Sequence, residues 1–372
     1  MGVIGGGMGK THLASMHQVK DLQVNAFCDI RPAACKNISQ QYQVKGFTDY
    51  KKMIDSKTID AVLIATPHYS HPDIALYAFK KDIHVLCEKP VAVHVKDARK
   101  MNQAHKKSKS VFGIMFQYRT QPYYKKAKEL VESGELGKLV RVTMMCTHCF
   151  RTQRYYDSGT WRATWAGEGG GVLLNQTPHF LDILQWITGM PQKVHGHCYL
   201  GKHHNIAVED DVTAFMEYKN GATGLFITST GEAPGTNMFE ICGDRGKLVV
   251  ADTKLTFHRT RVPVNKFCRE TNEKWASPET WKAEIPVRSA PSGHWVITQN
   301  FVNAILHQET LISPGIEGLN SLELGNAMLY SSLTGQPASL PLDGDAYEAL
   351  LNDLIKKEKT RRKKYKEGVF EK

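Results

Sequence analysis

Through the first 120 residues, short apolar runs alternate with stretches in which apolar positions recur at helical spacing. Residues 2–5, 23–29, 61–66, 84–87 and 110–116 read as strands, with helices at 11–20, 31–42, 50–54, 72–80 and 95–107 between them. That alternation predicts βαβ units on a parallel sheet, a doubly wound α/β nucleotide-binding fold. After a helix at 122–133 and the turn Gly134-Glu135-Leu136-Gly137, the pattern changes to longer strands of alternating polarity. They fall at 139–150, 193–200, 211–218, 223–229, 237–243 and 246–251, interrupted by one helix at 175–188. Strands with segregated helices predict an α+β domain on a large, mostly antiparallel open sheet. Its open face needs cover, which predicts a homodimer or homotetramer packed sheet to sheet. Residues 256–293 are polar and weakly periodic and read as loops and short strands, and helices return at 294–307, 315–332 and 344–364. The chain thus divides into 1–120 and 121–372.

Composition supports two domains of ordinary size. The 372 residues are 41% apolar with 30 Gly and 15 Pro, and no run of about 18 apolar residues suggests a membrane span. The N-terminus enters a strand with no basic leader, so a cytoplasmic protein is expected. Eight scattered cysteines suit reduced thiols. Cys146 and Cys149 form a CxxC pair around His148, but on a strand they face opposite sides, and no metal site is expected. The net charge of +11 resides largely in eight basic residues between Lys356 and Lys366. Such a run reads as a solvated helix end or tail, and with only Tyr365 interleaved it does not predict nucleic-acid binding.

Candidate chemistry begins at Gly5-Gly6-Gly7-Met8-Gly9, between the first strand and the first helix. Glycines there let a pyrophosphate approach the backbone and the helix N-terminus. The loop is one residue shorter than the usual GxGxxG, so the glycines either lack a position or serve shifted roles. Asp29 ends the second strand, twenty residues beyond Gly9, where a carboxylate accepts hydrogen bonds from an adenosine ribose. This favours NAD, while the nearby Arg31 leaves NADP open. Thr66-Pro67-His68-Tyr69-Ser70-His71 and Glu88-Lys89-Pro90 follow the next strands, at the sheet edge where ligands bind.

These motifs resemble the Gfo/Idh/MocA family, named for glucose-fructose oxidoreductase and inositol dehydrogenase. The resemblance extends through Phe116-Gln117-Tyr118-Arg119, Ser133-Gly134-Glu135-Leu136-Gly137 and Gly169-Gly170-Gly171-Val172-Leu173-Leu174-Asn175, as far as His179 and Asp182. It implies a Rossmann domain that holds the dinucleotide with Gly5, Gly7, Met8, Gly9, Asp29, Ile30, Arg31, Thr66, Pro67, His68, His71, Glu88, Lys89 and Gln117. It also implies that Lys89 and His179 touch the reacting hydroxyl, and that Tyr118, Arg119, Trp161 and Arg162 border the sugar. Many members carry an aspartate where this chain has Asn175. The expected activity is hydride transfer between NAD(P) and a secondary alcohol of a sugar, sugar derivative or cyclic polyol. An NAD-dependent glycosidase acting by transient oxidation and elimination, or a non-catalytic dinucleotide sensor, are the alternatives.

Asn175 and His179 stand four residues apart on the expected helix and so on one face. For Lys89 to act as acid-base group its pKa must fall from about 10.4 toward 7, a shift of about 3 units or roughly 4–5 kcal/mol. Burial, the charged nicotinamide ring and nearby arginines would have to supply that together. His179 as proton carrier needs no such shift and would leave Lys89 to hold the oxygen electrostatically. The reading adopted is Lys89 as principal acid-base group with His179 orienting the substrate.

Overall fold

The computed structural model describes residues 1–366, with side chains through Lys359. Of the basic run noted above, the backbone to Lys366 continues the last helix, Gly344–Lys366; the side chains beyond Lys359 lie outside the described residues.

Six parallel strands form the first sheet: β1 (Gly2–Ile4), β2 (Ala26–Cys28), β3 (Lys45–Phe47), β4 (Ala61–Ile64), β5 (His84–Cys87) and β6 (Phe112–Ile114). Their order, β3-β2-β1-β4-β5-β6, reverses direction beside β1, and this switch point opens a crevice at the strands' carboxyl ends. β1, β2 and β4 are fully buried three- or four-residue runs, as strands covered on both faces should be. β3 escaped the sequence reading because Lys45-Gly46-Phe47 is short, exposed and not apolar; it is an edge strand.

The second sheet has nine strands: β7 (Leu139–Cys146), β8 (Lys193–Leu200), β9 (Glu209–Glu217), β10 (Thr223–Ser229), β11 (Asn237–Gly243), β12 (Gly246–Ala251), β13 (Lys254–Thr260), β14 (Thr280–Glu284) and β15 (Ala338–Ser339). The order is β14-β13-β12-β11-β7-β10-β9-β8-β15, antiparallel except where β7 pairs with β10. Val142, Met144, Ala214, Met216, Phe226, Phe239 and Ile241 point inward and are buried. Helices Pro178–Thr188 and Gly318–Thr334 lie against this sheet.

The two sheets share a continuous apolar core that includes Ile64, Val91 and Val93 as well as Val172, Leu181 and Met328. Asn326 ties the seam, accepting from the N–H of Val95 at 3.1 Å and donating to the carbonyl of Val93 at 3.2 Å. The contiguous division at residue 120 is crossed by helix His294–His307. Its Ile297 and Phe301 pack with Val3, Phe27 and Leu86 of the first sheet. No described helix is long and apolar enough to cross a membrane.

Candidate active site

The short glycine loop performs three separate tasks. Gly5 has φ +101°, and a Cβ there would lie 2.4 Å from the Ala65 carbonyl oxygen, so only glycine allows this turn. Gly7 precedes helix Met8–Ser15 without a side-chain cap, and a Cβ on it would meet open space. The first N–H groups of that helix are therefore available to an anion. A Cβ on Gly9 would come 3.0 Å from Val3, so this glycine lets the helix settle on β1, one position earlier than the usual spacing. Asp29 accepts from the N–H of Gly6 at 2.9 Å and is also held by Arg31 through Nε at 3.0 Å and Nη2 at 2.9 Å. Burial would raise its pKa, but the Arg31 contacts and charge hold it below the usual carboxylate value. Met8 and Ile30 stand exposed beside this loop.

Buried side chains lock the ends of β4 and β5 together. His71 is fully buried, with Nδ1 at 2.9 Å from the Pro90 carbonyl and Nε2 at 2.8 Å from the Thr66 carbonyl. A neutral ring donates through one of these nitrogens only, but backbone carbonyls close on both, so His71 braces the two loops rather than meeting a ligand. Glu88 binds Nε2 of His12 at 2.6 Å and accepts from the N–H of Lys89 at 3.1 Å. Burial opposes its charge, yet the His12 hydrogen bond and charge prevail and hold it at about 2.

Residues of the second half close the site. Lys89 Nζ donates to the main-chain carbonyl of Asn175 at 2.7 Å. The expected helix over Asn175 is corrected here. The helix spans Pro178–Thr188, and Asn175 lies in the turns before it. Pro178 stands at the first helical position, where no N–H is needed, and the Asn175 carbonyl, outside the helix, accepts from Lys89. Gly171 lets the turns before the helix lie against β9: a Cβ there would be 1.9 Å from the Glu209 carbonyl oxygen. The side-chain amide of Asn175 donates to Glu168, a buried carboxylate.

His179 lies 3.1 Å from Gln117 through their Nε2 atoms and stacks on Tyr118, with centroids 4.8 Å apart and planes at 23°. Trp161 meets His68 edge-on at 6.1 Å. The guanidinium of Arg162 rests 4.7 Å from the rings of both Trp161 and Tyr155, and Arg151 stands 5.2 Å from Tyr155. Arg119, expected beside the sugar, is withdrawn from the site: it is 1% exposed and paired with Asp182 at 2.8 and 2.6 Å and with Glu317. A guanidinium so deep needs carboxylates on every donor face, and this one is used in packing.

Electrostatics separates the two proton-carrying candidates. Burial pushes the Lys89 ammonium below its ordinary value, with Glu88 and Glu168 pulling the other way. Burial, reinforced by the Lys89 charge, holds His179 well below its ordinary value, so its ring is neutral at physiological pH. Burial brings His68 to about 3. Thr66 Oγ1, Gln117 Oε1 and His179 Nδ1 are buried polar atoms without a partner, which a polar ligand would satisfy. Together with the open approach over Gly7, these atoms fit a nicotinamide dinucleotide lying from the glycine loop to Lys89.

The sequence reading missed His12, Glu168, Arg151 and Tyr155. Glu168 had a signal, an acid directly ahead of Gly169-Gly170-Gly171. His12 had none, since nothing in the first helix marks its partner 76 residues away.

Two family descriptions match the chain: an oxidoreductase family with NAD-binding Rossmann fold over residues 1–116, and the GFO/IDH/MocA C-terminal domain over residues 124–249. Myo-inositol 2-dehydrogenase of Thermotoga maritima is 25% identical over 265 residues, covering 69% of this chain and 76% of that protein. Levoglucosan dehydrogenase of Pseudarthrobacter phenanthrenivorans is 28% identical over 291 residues, covering 67% and 72%. The WlbA dehydrogenase of Bordetella pertussis, solved with NADH and UDP-GlcNAcA, superposes with a TM-score of 0.77 at 26% identity, over 92% of this chain and 98% of that one.

Proposed function

The chain belongs to the Gfo/Idh/MocA family of NAD-binding oxidoreductases, and from that premise we propose that it moves a hydride between NAD and a secondary alcohol of a sugar or cyclic polyol, with Lys89 as acid-base group. One observation carries the assignment. The half-buried Lys89 directs its ammonium onto a neutral carbonyl at 2.7 Å and forms no ion pair among the described residues. A lysine so placed gives up its proton more readily than one in water.

The glycine loop, Asp29, Thr66, Glu88 and Gln117 would hold the dinucleotide, which supplies the hydride acceptor or donor. Lys89 takes the hydroxyl proton during alcohol oxidation and returns it during ketone reduction. His179, neutral and fixed by Gln117 and Tyr118, positions the same oxygen through one hydrogen bond. Trp161, Arg162 and Tyr118 line the substrate side. The relatives act on inositol and levoglucosan by their names, which supports a carbohydrate substrate.

The test is a panel of sugars and cyclic polyols incubated with NAD and the protein. Build-up of near-ultraviolet absorbance from reduced nicotinamide is expected with at least one of them. Sugar release without net reduction would replace this reading with the glycosidase, and binding of NAD with neither signal would leave a sensor.

The outer face of the second sheet supports a self-associated protein. Met145, Leu225, Ile227, Met238 and the 42% exposed Phe215 face outward from paired strands. A second copy packed on this face buries them. Sedimentation should show a dimer or tetramer that Leu225→Asp dissociates; a wild-type monomer would refute the assembly.

A further inference from the structure

Glu168 is a 2% exposed acid on which three parts of the site converge. Its Oε2 accepts from the N–H of Ala163 at 2.6 Å, and its Oε1 accepts from the Asn175 amide. Its main-chain carbonyl lies 3.2 Å from Nδ1 of His68, on the loop that follows β4. Its N–H donates to the Thr164 carbonyl at 2.9 Å. The backbone leaves this residue little freedom. A Cβ on Gly167 would lie 2.4 Å from the Trp161 carbonyl oxygen, and one on Gly169, which has φ +82°, 2.2 Å from Val93.

A buried carboxylate whose hydrogen bonds come from two neutral donors costs more than a neutral amide would in the same place. If the residue only held its loop, glutamine would accept the same Ala163 N–H without that cost. What the carboxylate adds is a charge near Lys89 and a strong acceptor for Asn175. Asn175 then has both ends engaged, its side chain by Glu168 and its main-chain carbonyl by Lys89 at 2.7 Å. Freeing the side chain frees the carbonyl that fixes the ammonium.

We propose that Glu168 is the positioning carboxylate of this site, acting on Lys89 through Asn175 and as a fixed negative charge that favours its protonated form. This rests on the reading of Lys89 as the proton carrier. Burial raises the Glu168 pKa and also lowers that of Lys89, so each group lessens the penalty on the other when both are charged.

The test reads Lys89 directly. The whole chain is acylated competitively across a pH series, and the Lys89 peptide is quantified by mass spectrometry. Glu168→Gln should lower the Lys89 pKa by roughly half a unit to one unit. The rising limb of kcat/KM for alcohol oxidation should move to lower pH by the same amount. It should also lower kcat by about tenfold or more through misplacement of Lys89, with NADH binding retained by fluorescence. The double variant Glu168→Gln with Asn175→Asp returns the charge one contact away and should recover most of the shift. Asn175→Ser cuts the link but keeps the carboxylate, and should lower kcat with a smaller titration shift.

An unchanged Lys89 titration in Glu168→Gln overturns the proposal, as does a loss of kcat that the double variant leaves unrepaired. If Glu168→Gln does not fold, wild-type kcat in Asn175→Ser overturns it equally. The acylation needs no substrate, so a wild-type chain without turnover would remove the dehydrogenase reading while the Lys89 shift still decides this one.

Discussion

Lys89 and Arg119 are both cations inside the protein, and their surroundings are opposite. Arg119 receives two carboxylates, the Ile312 carbonyl at 3.2 Å, and the rings of Phe116 and Trp186 at 5.5 and 5.2 Å. Burial alone would lower its pKa, but Asp182 and Glu317 outweigh that and raise it. Lys89 receives one neutral carbonyl, and burial prevails. Burial with acids in direct contact yields a structural cation; burial with acids only at longer range, as Glu88 and Glu168 stand to Lys89, leaves one whose pKa is lowered. Both residues stand in motifs of the same kind, Glu88-Lys89-Pro90 and Gln117-Tyr118-Arg119, so only their partners tell them apart.

The contrast is tested most strongly by removing each cation. Lys89→Met should reduce turnover by about a thousandfold or more. It should leave the melting temperature unchanged or higher, since a poorly compensated charge is gone. Near-normal turnover in Lys89→Met alongside an inactive His179→Ala would reverse the assignment of the proton carrier. Arg119→Met should do the converse, costing about 3–5 kcal/mol in urea denaturation because Asp182 stays buried without its partner. If it unfolds no more easily than wild type, the pair is not structural.

Titration sharpens the same distinction. The folded pKa of Lys89 is lowered, so kcat/KM for alcohol oxidation should rise with pH and level off below the ordinary lysine range near 10.4. His179 is already neutral, so no limb should appear near 6.5. A limb there that vanishes in His179→Ala would contradict this. Glu88 gives the stability counterpart: its folded pKa of about 2 lies below the unfolded value. Its contribution is full above about 4.3 and lost as pH falls toward 2, which acid denaturation of Glu88→Gln against wild type would register.

The smallest effect belongs to Arg31, a cation paired with Asp29 but 67% exposed at its side chain. Arg31→Ala should cost under about 1 kcal/mol of stability. It should also increase the preference for NAD over NADP, because Asp29 then faces a 2′-phosphate without an offsetting charge. A shift toward NADP would contradict that role for the pair.

The alternation of strands and helices in the first half was legible because every strand of the parallel sheet except the edge strand β3 is a largely buried apolar run. Lys45-Gly46-Phe47 was not, since an exposed edge strand has no apolar pattern to read. Lys89 and His179 could be singled out by motif, whereas the fate of Arg119 depends on Asp182 and Glu317, 63 and 198 residues away. Asn175 was placed on a helix by its spacing from His179, but Pro178 decides where that helix begins. The consequence, a main-chain carbonyl facing Lys89, has no side-chain signature. Glu168 is marked only by standing directly ahead of three glycines, and its partner Asn175 becomes apparent once that loop has folded.

The unbroken core beneath both sheets also bears on molecular traffic. A wide swing of one half against the other would expose Val91, Val93, Val172 and Leu181 together, at roughly 25 cal/mol for each Å² uncovered. Coenzyme and the proposed substrate are therefore expected to come and go between walls that keep their spacing. That predicts passage through small displacements of rim residues, the glycine loop on one side and residues 151–168 on the other. Turnover limited by release should respond to changes in those rims and remain insensitive to the seam at Asn326.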